Sequence, residues 1–306
     1  MHDSHGVIFL DIRKYEVILK TIEYGNLTKA GEFYGYTQSG VSHMISGVEE
    51  ELGFRLLNRN RNGVSLTPEG EMILPALREI VRWNENLAQT AADINGLACG
   101  RLRAGIFNSV AIHWMPRILK SFQADYPHVS VDLVEGGSEE LRDKLSAGEI
   151  DLAIMSIQPD FGFDFRLLKT DLFFAVLPHS HPLAKTARFP IEAFNGSEFI
   201  LIKRGYDDDI YKILADYSLK PDIKFTSNNE QAVVSMVEND MGISILPELI
   251  LQSYREDIAA LPIFPEVSRK LGICAKSFDE LSPAGRRFCR YVCEVVSPCK
   301  EKPAGD

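Results

Sequence analysis

The sequence of 306 residues has few of the features that mark a membrane protein or an exported protein. It contains no run of about 18 apolar residues, the length that a membrane-spanning helix needs. Residues 1–10 have neither the basic start nor the apolar core of a signal peptide. We therefore expect a cytoplasmic protein with no membrane partner.

Cysteine is also sparse, and none of its five positions forms a CxxC pair, which fits reduced thiols in the cytosol. Cys289 and Cys293 are one helical turn apart and, with Cys299, could bind a metal or sense oxidants, although core packing explains them better. The acidic residues 207–209 could form a cation site, but a solvated acidic turn is the simpler interpretation. HExxH, GxSxG and Walker sequences are absent. We therefore expect no metal, no cofactor and no catalytic residue.

A net charge of −10 and a pI near 5.3 would by themselves argue against a nucleic-acid-binding protein. The charge is unevenly distributed, however, because the first 66 residues are nearly balanced and most of the excess acid lies downstream. Arg55, Arg59 and Arg61 form a local basic cluster. Since phosphate contact needs only a locally positive surface, the acidic total does not exclude DNA binding.

The stretch Thr21–Gly70 predicts two short helices joined by a tight turn and followed by a basic hairpin. Asn26 is a suitable N-cap for a helix over Leu27–Tyr34, and Thr37 is a suitable N-cap for a helix over Gln38–Leu52. The buried stripe of the second helix recurs at helical spacing and comprises Val41, Ile45, Val48 and Leu52. Its outer face carries small polar residues, namely Gln38, Ser39, Ser42, His43 and Ser46. Such a face suits insertion into a major groove, whereas the alternative is a solvated face that binds nothing.

These helices belong to an ordered series of short segments: Gly25–Gly31, Gln38–Ser42, Ile45, Glu49–Gly53, Leu56–Arg59, Arg61 and Leu66–Gly70. The series resembles the winged helix-turn-helix of the LysR-type transcriptional regulators. Asn26 stands where that family usually has Ser, Gly31 replaces the second Ala of a usual pair, and Leu57 stands where Phe is common. Asn caps as well as Ser, and Gly permits close helix contact, so the resemblance still implies DNA binding and leaves the operator sequence open.

A long helix is predicted from Pro68, with Thr67 as its N-cap. An alternating four-three spacing forms a heptad seam at Ile73, Leu77, Ile80, Asn84, Leu87, Ala91 and Ile94. This seam predicts that the helix dimerises, and the lone Asn84 within it can set the pairing and register of the two helices. The alternative is that the helix packs on its own domain. Pro75 should kink it.

Downstream of Gly96, short apolar strands alternate with helices, which predicts a mainly parallel sheet covered on both faces. The segments Gly148–Ile154 and Met236–Pro247 are similar to the effector domain of the same family, which shares its fold with periplasmic solute-binding proteins. The resemblance implies an α/β fold class with three parts. They are a winged helix-turn-helix at 1–66, a dimerising linker helix at 67–96, and an effector-binding domain at 97–306. Within the last part, lobe I covers about 97–165 and 268–296, and lobe II covers about 166–267.

The residues expected at the DNA are Asn26, Thr28, Lys29, Thr37, Gln38, Ser39, Ser42, His43, Arg59 and Arg61. Gln38 can form paired hydrogen bonds with adenine, and Thr28 and Lys29 are expected at phosphates. Arg59 and Arg61 could enter the neighbouring minor groove, although Arg59 could instead pair with an acid such as Glu49.

Ligands of open α/β sheets bind beyond the carboxyl ends of the strands, near helix N-termini, which favour anions. The residues at such positions are Asn108, Ser109, Gly137, Ser138, Ser156, Lys203, Tyr206, Asn228 and Asn229. They predict a small polar, anionic effector, and ordinary helix capping is the alternative for Ser109, Ser138 and Asn229.

The sequence is thus identified as a LysR-type regulator that binds double-stranded DNA and a small effector. The resemblance also implies a tetramer built from two dimers. An enzyme is the main alternative from another class, but no catalytic motif supports it. A periplasmic solute-binding protein would match only the second half, and the N-terminal helices argue against it.

Overall fold

The computed structural model describes residues 11–60, 63–157, 162–203, 205, 208–254 and 258–296. The chain divides after Asn95 into two compact units. No helix within these ranges is long and apolar enough to cross a membrane.

The first unit combines helices with a two-stranded hairpin. Its elements are α1 (Ile12–Tyr24), α2 (Leu27–Tyr34), α3 (Gln38–Leu52), β1 (Leu57–Asn60), β2 (Gly63–Leu66) and α4 (Pro68–Ile94). The predicted bounds of α2 and α3 are confirmed. Asn26 Oδ1 accepts a hydrogen bond from Thr28 N, and Thr37 Oγ1 accepts one from Gly40 N. These caps satisfy amides that have no partner within the helix.

The core of the first unit is built on the predicted apolar stripe of α3. Val41, Ile45 and Val48 are buried against α1 residues such as Ile18. Gly31 of α2 lies at the tight approach of α2 to the turn before α3, where an added Cβ would be 2.6 Å from the carbonyl oxygen of Tyr36. The glycine that departs from the family pattern therefore suits this turn.

Helix α4 begins with the predicted Thr67 cap and passes through Pro75 without ending. Near its start it packs on its own unit, because Leu77 and Val81 are buried in that unit's core. Further along, Leu87 is 69% exposed and Ile94 is 82% exposed. Packing on the same unit therefore accounts for the first part of the apolar seam and leaves its last part uncovered within that unit.

The second unit is an α/β structure with two hydrophobic cores. Its strands are β3 (Cys99–Ile106), β4 (His128–Glu135), β5 (Leu152–Ser156), β6 (Asp164–Leu177), β7 (Phe189–Pro190), β8 (Glu198–Ile202), β9 (Asp222–Ser227), β10 (Ser244–Pro247), β11 (Ala259–Phe264) and β12 (Ser268–Ala275). Its helices are α5 (Asn108–His113), α6 (Met115–Asp125), α7 (Ser138–Ser146), α8 (Asp208–Asp216), α9 (Glu230–Glu238), α10 (Glu248–Leu251) and α11 (Pro283–Val296), with a 3-10 turn at Ile191–Phe194.

The strand β6 joins the two lobes. In lobe I, β3 pairs in parallel with β4 and β5, while β12 lies antiparallel between β5 and β6. Residues 173–177 of β6 continue into lobe II, where they pair antiparallel with β10 and β11. The prediction of a mainly parallel sheet is therefore wrong for the strands near the crossing. A chain that enters the second lobe and returns beside itself must run in the opposite direction there.

The sequence pattern downstream of Gly96 predicts a single helix over residues 110–124, and this prediction is wrong, because α5 and α6 are separate helices. The chain bends at the half-helical Trp114, whose side chain is buried in the lobe I core. Pro116 follows in the first turn of α6, and a proline there has no amide hydrogen to continue α5.

Candidate functional site

The outward face of α3 carries uncharged polar residues over its N-terminal turns, as predicted. Gln38, Ser39 and His43 are exposed, and Ser42 is half-buried. Thr37 serves as the N-cap, and its hydroxyl lies 3.1 Å from that of Ser39. No bulky or charged group on this short stretch would hold the helix away from a groove.

The start of α2 offers a second exposed group of polar residues. Asn26, Thr28 and Lys29 are all exposed. The side-chain oxygen of Asn26 already accepts hydrogen bonds from the amides of Thr28 and Lys29, at 2.8 and 3.1 Å. The capping role predicted for Asn26 is confirmed, and its DNA contact stays a prediction.

The hairpin arginine Arg59 lies against α3. Its guanidinium donates to Ser42 Oγ at 2.6 Å and to Glu49 Oε2 at 3.2 Å, with Ser46 Oγ at 3.4 Å. The alternative ion pair with Glu49 is thus present. A DNA contact by Arg59 stays a prediction, and Arg61 lies outside the described residues.

Glu49 connects the hairpin to α3 through both carboxylate oxygens. While Oε2 pairs with Arg59, Oε1 accepts hydrogen bonds from the amides of Leu56 and Leu57, at 2.8 and 3.1 Å. The sequence suggested the ion pair but not these two backbone contacts. Glu49 therefore positions the strand that carries Arg59.

The candidate effector residues of lobe I lie at the ends of its parallel strands, in the loops and helix starts that follow. Ser109, Gly137, Ser138 and Ser156 are buried, and Asn108 is half-buried. In lobe II, Lys203, Asn228 and Asn229 are exposed, while Tyr206 lies outside the described residues.

Two hydrogen bonds connect the two lobes close to these candidate residues. Asn108 Nδ2, at the start of α5, donates to Glu230 Oε2, at the start of α9, at 2.8 Å. The amide of Glu139, in the first turn of α7, donates to the carbonyl of Gly205 at 3.1 Å. The structure thus places the starts of helices from both lobes at one cleft.

Ordinary capping explains only part of the candidate set. Asn229 is the N-cap of α9, and its side chain accepts from the amide of Ala232 at 3.0 Å. Ser109 and Ser138 are not N-caps, because Phe107 and Gly137 occupy those positions. Asn229 is therefore the one of these three whose capping alternative holds.

The cleft also contains a buried charge pair that was not predicted from the sequence. The guanidinium of Arg269, on β12, lies 3.0 Å from the carboxylate of Asp171, on β6. Arg269 also donates to Ser109 Oγ at 3.3 Å, and Asp171 accepts from the amide of Leu249 at 3.1 Å. Arg269 and Asp171 are 98 positions apart in the chain, so no local pattern could reveal the pair.

Two further groups mark the cleft chemically. Within the described part of the chain, the buried hydroxyl of Ser156 has no hydrogen-bond partner. Burial raises the pKa of Glu230 above its ordinary value, although the hydrogen bond from Asn108 opposes that change. Glu230, like Arg269, was not among the residues selected from the sequence.

The two buried cysteines, Cys274 and Cys289, give little support to oxidant sensing. Burial raises the pKa of Cys274 and of Cys289 to about 12, and thiolates are the reactive form. Both side chains instead pack in the lobe I core. No group of potential metal ligands occurs within the described ranges.

Known proteins resemble this chain in sequence and in fold. The HTH-type transcriptional regulator YvbU of Bacillus subtilis is 29% identical over 289 residues, which cover 94% of this chain and 99% of YvbU. A full-length OxyR variant from Pseudomonas aeruginosa has a TM-score of 0.75 at 22% identity and covers 97% of this chain and 100% of its own. The effector binding domain of QuiR in complex with shikimate has a TM-score of 0.59 at 20% identity, and covers 65% of this chain and 98% of its own. The two structural likenesses show a shared fold.

Two family models match the two units. Residues 12–71 match the bacterial regulatory helix-turn-helix protein, lysR family, and residues 95–297 match the LysR substrate binding domain. The second match alone covers more than half of the chain, and the first contains the helices and hairpin described above. The chain therefore belongs to the LysR family, as a DNA-binding transcriptional regulator with an effector-binding domain and not as an enzyme.

Proposed function

We propose that this regulator inserts α3 into the major groove of a pseudo-palindromic operator, and that a small polar, anionic effector between its lobes changes that binding. The uncharged outward face of α3, flanked by Arg59 of the hairpin, carries the first part of the proposal. Such a face allows close approach to base edges while neighbouring cations contact phosphates. The same DNA partner places the protein in the cytoplasm.

Each residue of the first unit that is predicted to contact DNA then has a role. Gln38 reads a base edge, and Ser39, Ser42 and His43 contact neighbouring bases from the same face. The residues that orient the unit on phosphates are Asn26, Thr28, Lys29 and Thr37. Arg59 and Arg61 of the hairpin reach the adjacent backbone or minor groove.

Dimerisation would place two such units on one operator. The exposed side chains of Leu87 and Ile94 on α4 are suited to pair with the same helix of a second copy, and half-sites would lie about one helical turn apart. A tetramer of two dimers follows from the family resemblance. We also propose that residue 66 ends the DNA-binding domain and that residue 96 ends the linker helix region.

The cleft of the second unit would hold the effector. The polar groups proposed to contact it are Asn108, Ser109, Gly137, Ser138, Ser156, Lys203, Asn228 and Asn229, to which the structure adds Arg269. Tyr206, which lies outside the described residues, stays a prediction from the sequence. QuiR, which shares this fold, was solved with shikimate, a hydroxylated carboxylate, and this supports an effector of similar chemistry. Effector binding would alter lobe closure, and it would shift operator binding only by its differential affinity for the two assemblies.

A mobility shift on the DNA upstream of the regulator's own gene tests the reading surface. Gln38→Ala should weaken binding to the operator by about 1–3 kcal/mol while leaving binding to unrelated DNA unchanged. Gln123→Ala, the same change at an exposed glutamine on α6, is the matched control. Equal operator binding by both variants would remove Gln38 from the reading surface.

A further inference from the structure

Glu230 places a carboxylate where an effector anion would be expected. It is the first residue of α9 and only 7% exposed, and its Oε2 accepts the hydrogen bond from Asn108 of lobe I. Glu230 thus lies between the starts of two helices that belong to different lobes. Helix starts attract anions, so the chain supplies its own anion to this position.

Among the described residues, no cation forms an ion pair with the carboxylate of Glu230. Arg269 is the nearby cation, but its guanidinium already pairs with Asp171 at 3.0 Å. Lys169, on β6 two residues before Asp171, pairs with Glu248 at 3.2 Å. Asn108 is neutral, so it hydrogen bonds to Glu230 without compensating its charge.

The lobe I side of the cleft has an unmet polar atom. The hydroxyl of Ser156, at the end of β5, is 2% exposed and has no hydrogen-bond partner among the residues that the structure describes. The amide of Phe107 donates to Ile154 on β5, so the end of this strand lies beside the start of α5. Buried polar atoms usually have partners, so a ligand that bonds to Ser156 would complete this side.

We propose that Glu230 selects the effector: the ligand must bring a hydroxyl or ammonium donor to this carboxylate in addition to its own acidic group. The inference rests on the proposed function and names the effector class as hydroxy acids or amino acids. A simple anion would place a second negative charge beside Glu230 in a poorly solvated cleft, which is strongly unfavourable. A donor on the ligand replaces the hydrogen bond of Asn108 and offsets this repulsion.

Inorganic sulfate tests directly whether Glu230 excludes simple anions from the cleft. The full chain, Glu230→Gln and the control Glu238→Gln are titrated calorimetrically with sulfate at pH 8, with chloride used to hold the ionic strength. Glu238 is exposed at the far end of α9, so the control removes the same charge from the same helix. Any sulfate that binds the DNA-binding unit should bind equally in all three proteins, so it does not affect the comparison.

Glu230→Gln should gain a sulfate site that is tighter by about tenfold or more than any additional site in the other two proteins. Glutamine keeps an acceptor for Asn108, and an unchanged unfolding temperature confirms that the variant folds. Equal sulfate binding in all three proteins, with or without an additional site, overturns the proposal.

Matched acids test the need for a donor. In the unmodified chain, malate should bind more tightly than succinate, or glutamate more tightly than glutarate. Succinate or glutarate binding as tightly as its donor-bearing partner overturns the proposal.

Operator binding is measured separately with each acid. If no acid changes operator binding but sulfate enters only Glu230→Gln, the effector proposal fails and the role of Glu230 stands. If an acid changes operator binding and sulfate does not distinguish the proteins, the role of Glu230 alone fails.

Discussion

Arg59 and Glu49 form an ion pair of 3.2 Å that ties the hairpin to α3. The same glutamate accepts hydrogen bonds from the amides of Leu56 and Leu57, and the same arginine donates to Ser42 on the outward face of α3. One side chain therefore holds the hairpin in place, and the other connects it to the surface proposed to meet DNA.

Replacing Glu49 should separate its backbone role from its charge. Glu49→Ala leaves two partly buried amides without their acceptor and should lower the free energy of unfolding by about 1–3 kcal/mol. Glu49→Gln keeps an acceptor and should lose less. Urea unfolding of the full chain measures both values, and equal losses would show that the amide contacts contribute little.

The two hairpin arginines should affect the salt dependence of operator binding. Arg61→Ala should weaken binding to all sequences and reduce the slope of log K against log salt by roughly one unit. Arg59→Lys keeps the charge but loses the planar fork that reaches Ser42 and Glu49, so it should weaken binding with little change in slope. An unchanged slope for Arg61→Ala would remove Arg61 from the interface.

Gly31 and Gly47 provide a matched pair of glycine substitutions in neighbouring helices. Gly31→Ala would place a Cβ 2.6 Å from the Tyr36 carbonyl oxygen and should destabilise the unit by about 1–3 kcal/mol. Gly47→Ala meets only the end of the Lys14 side chain at 4.0 Å, and should stabilise α3 by about 0.5–1 kcal/mol. Calorimetry of the full chain should show shifts of opposite sign, and a stabilising Gly31→Ala would contradict the close approach.

The exposed end of α4 should control self-association. Leu87→Lys puts a charge into the proposed dimer seam and should convert dimers to monomers at micromolar concentration. Ala88→Lys, at the exposed position next along the helix, should have a smaller effect. Sedimentation velocity distinguishes these outcomes, and an unchanged dimer in Leu87→Lys would place the interface elsewhere.

Glu230 should make stability depend on pH. Because burial raises its pKa in the folded state, its favourable contribution is complete below the unfolded pKa and is lost as pH rises through the folded pKa. Glu230→Gln lacks this loss, so its unfolding temperature should rise relative to the unmodified chain as pH increases from 4 to 8. Parallel pH profiles for the two proteins would show that the carboxylate carries no such cost.

Local patterns were sufficient for the elements of the first unit. The capping residues Asn26 and Thr37 and the apolar spacing from Val41 predicted α2 and α3 to the residue, because caps and helical periodicity act over a few positions. The same approach failed at Trp114, where the following proline and the packing of the indole divide one predicted helix into two.

The sequence by itself determined the family, the helix proposed to read DNA and the strand endings at which a ligand is expected, because these depend on residues close together in the chain. Only the tertiary structure revealed that Arg269 pairs with Asp171 and that Glu230 meets Asn108. These partners are separated by 98 and 122 positions. Arg269 and Asp171 face each other across the neighbouring strands β12 and β6, and Asn108 meets Glu230 where the starts of α5 and α9 come together. Both contacts therefore exist only in the folded chain, where burial excludes water and strengthens them.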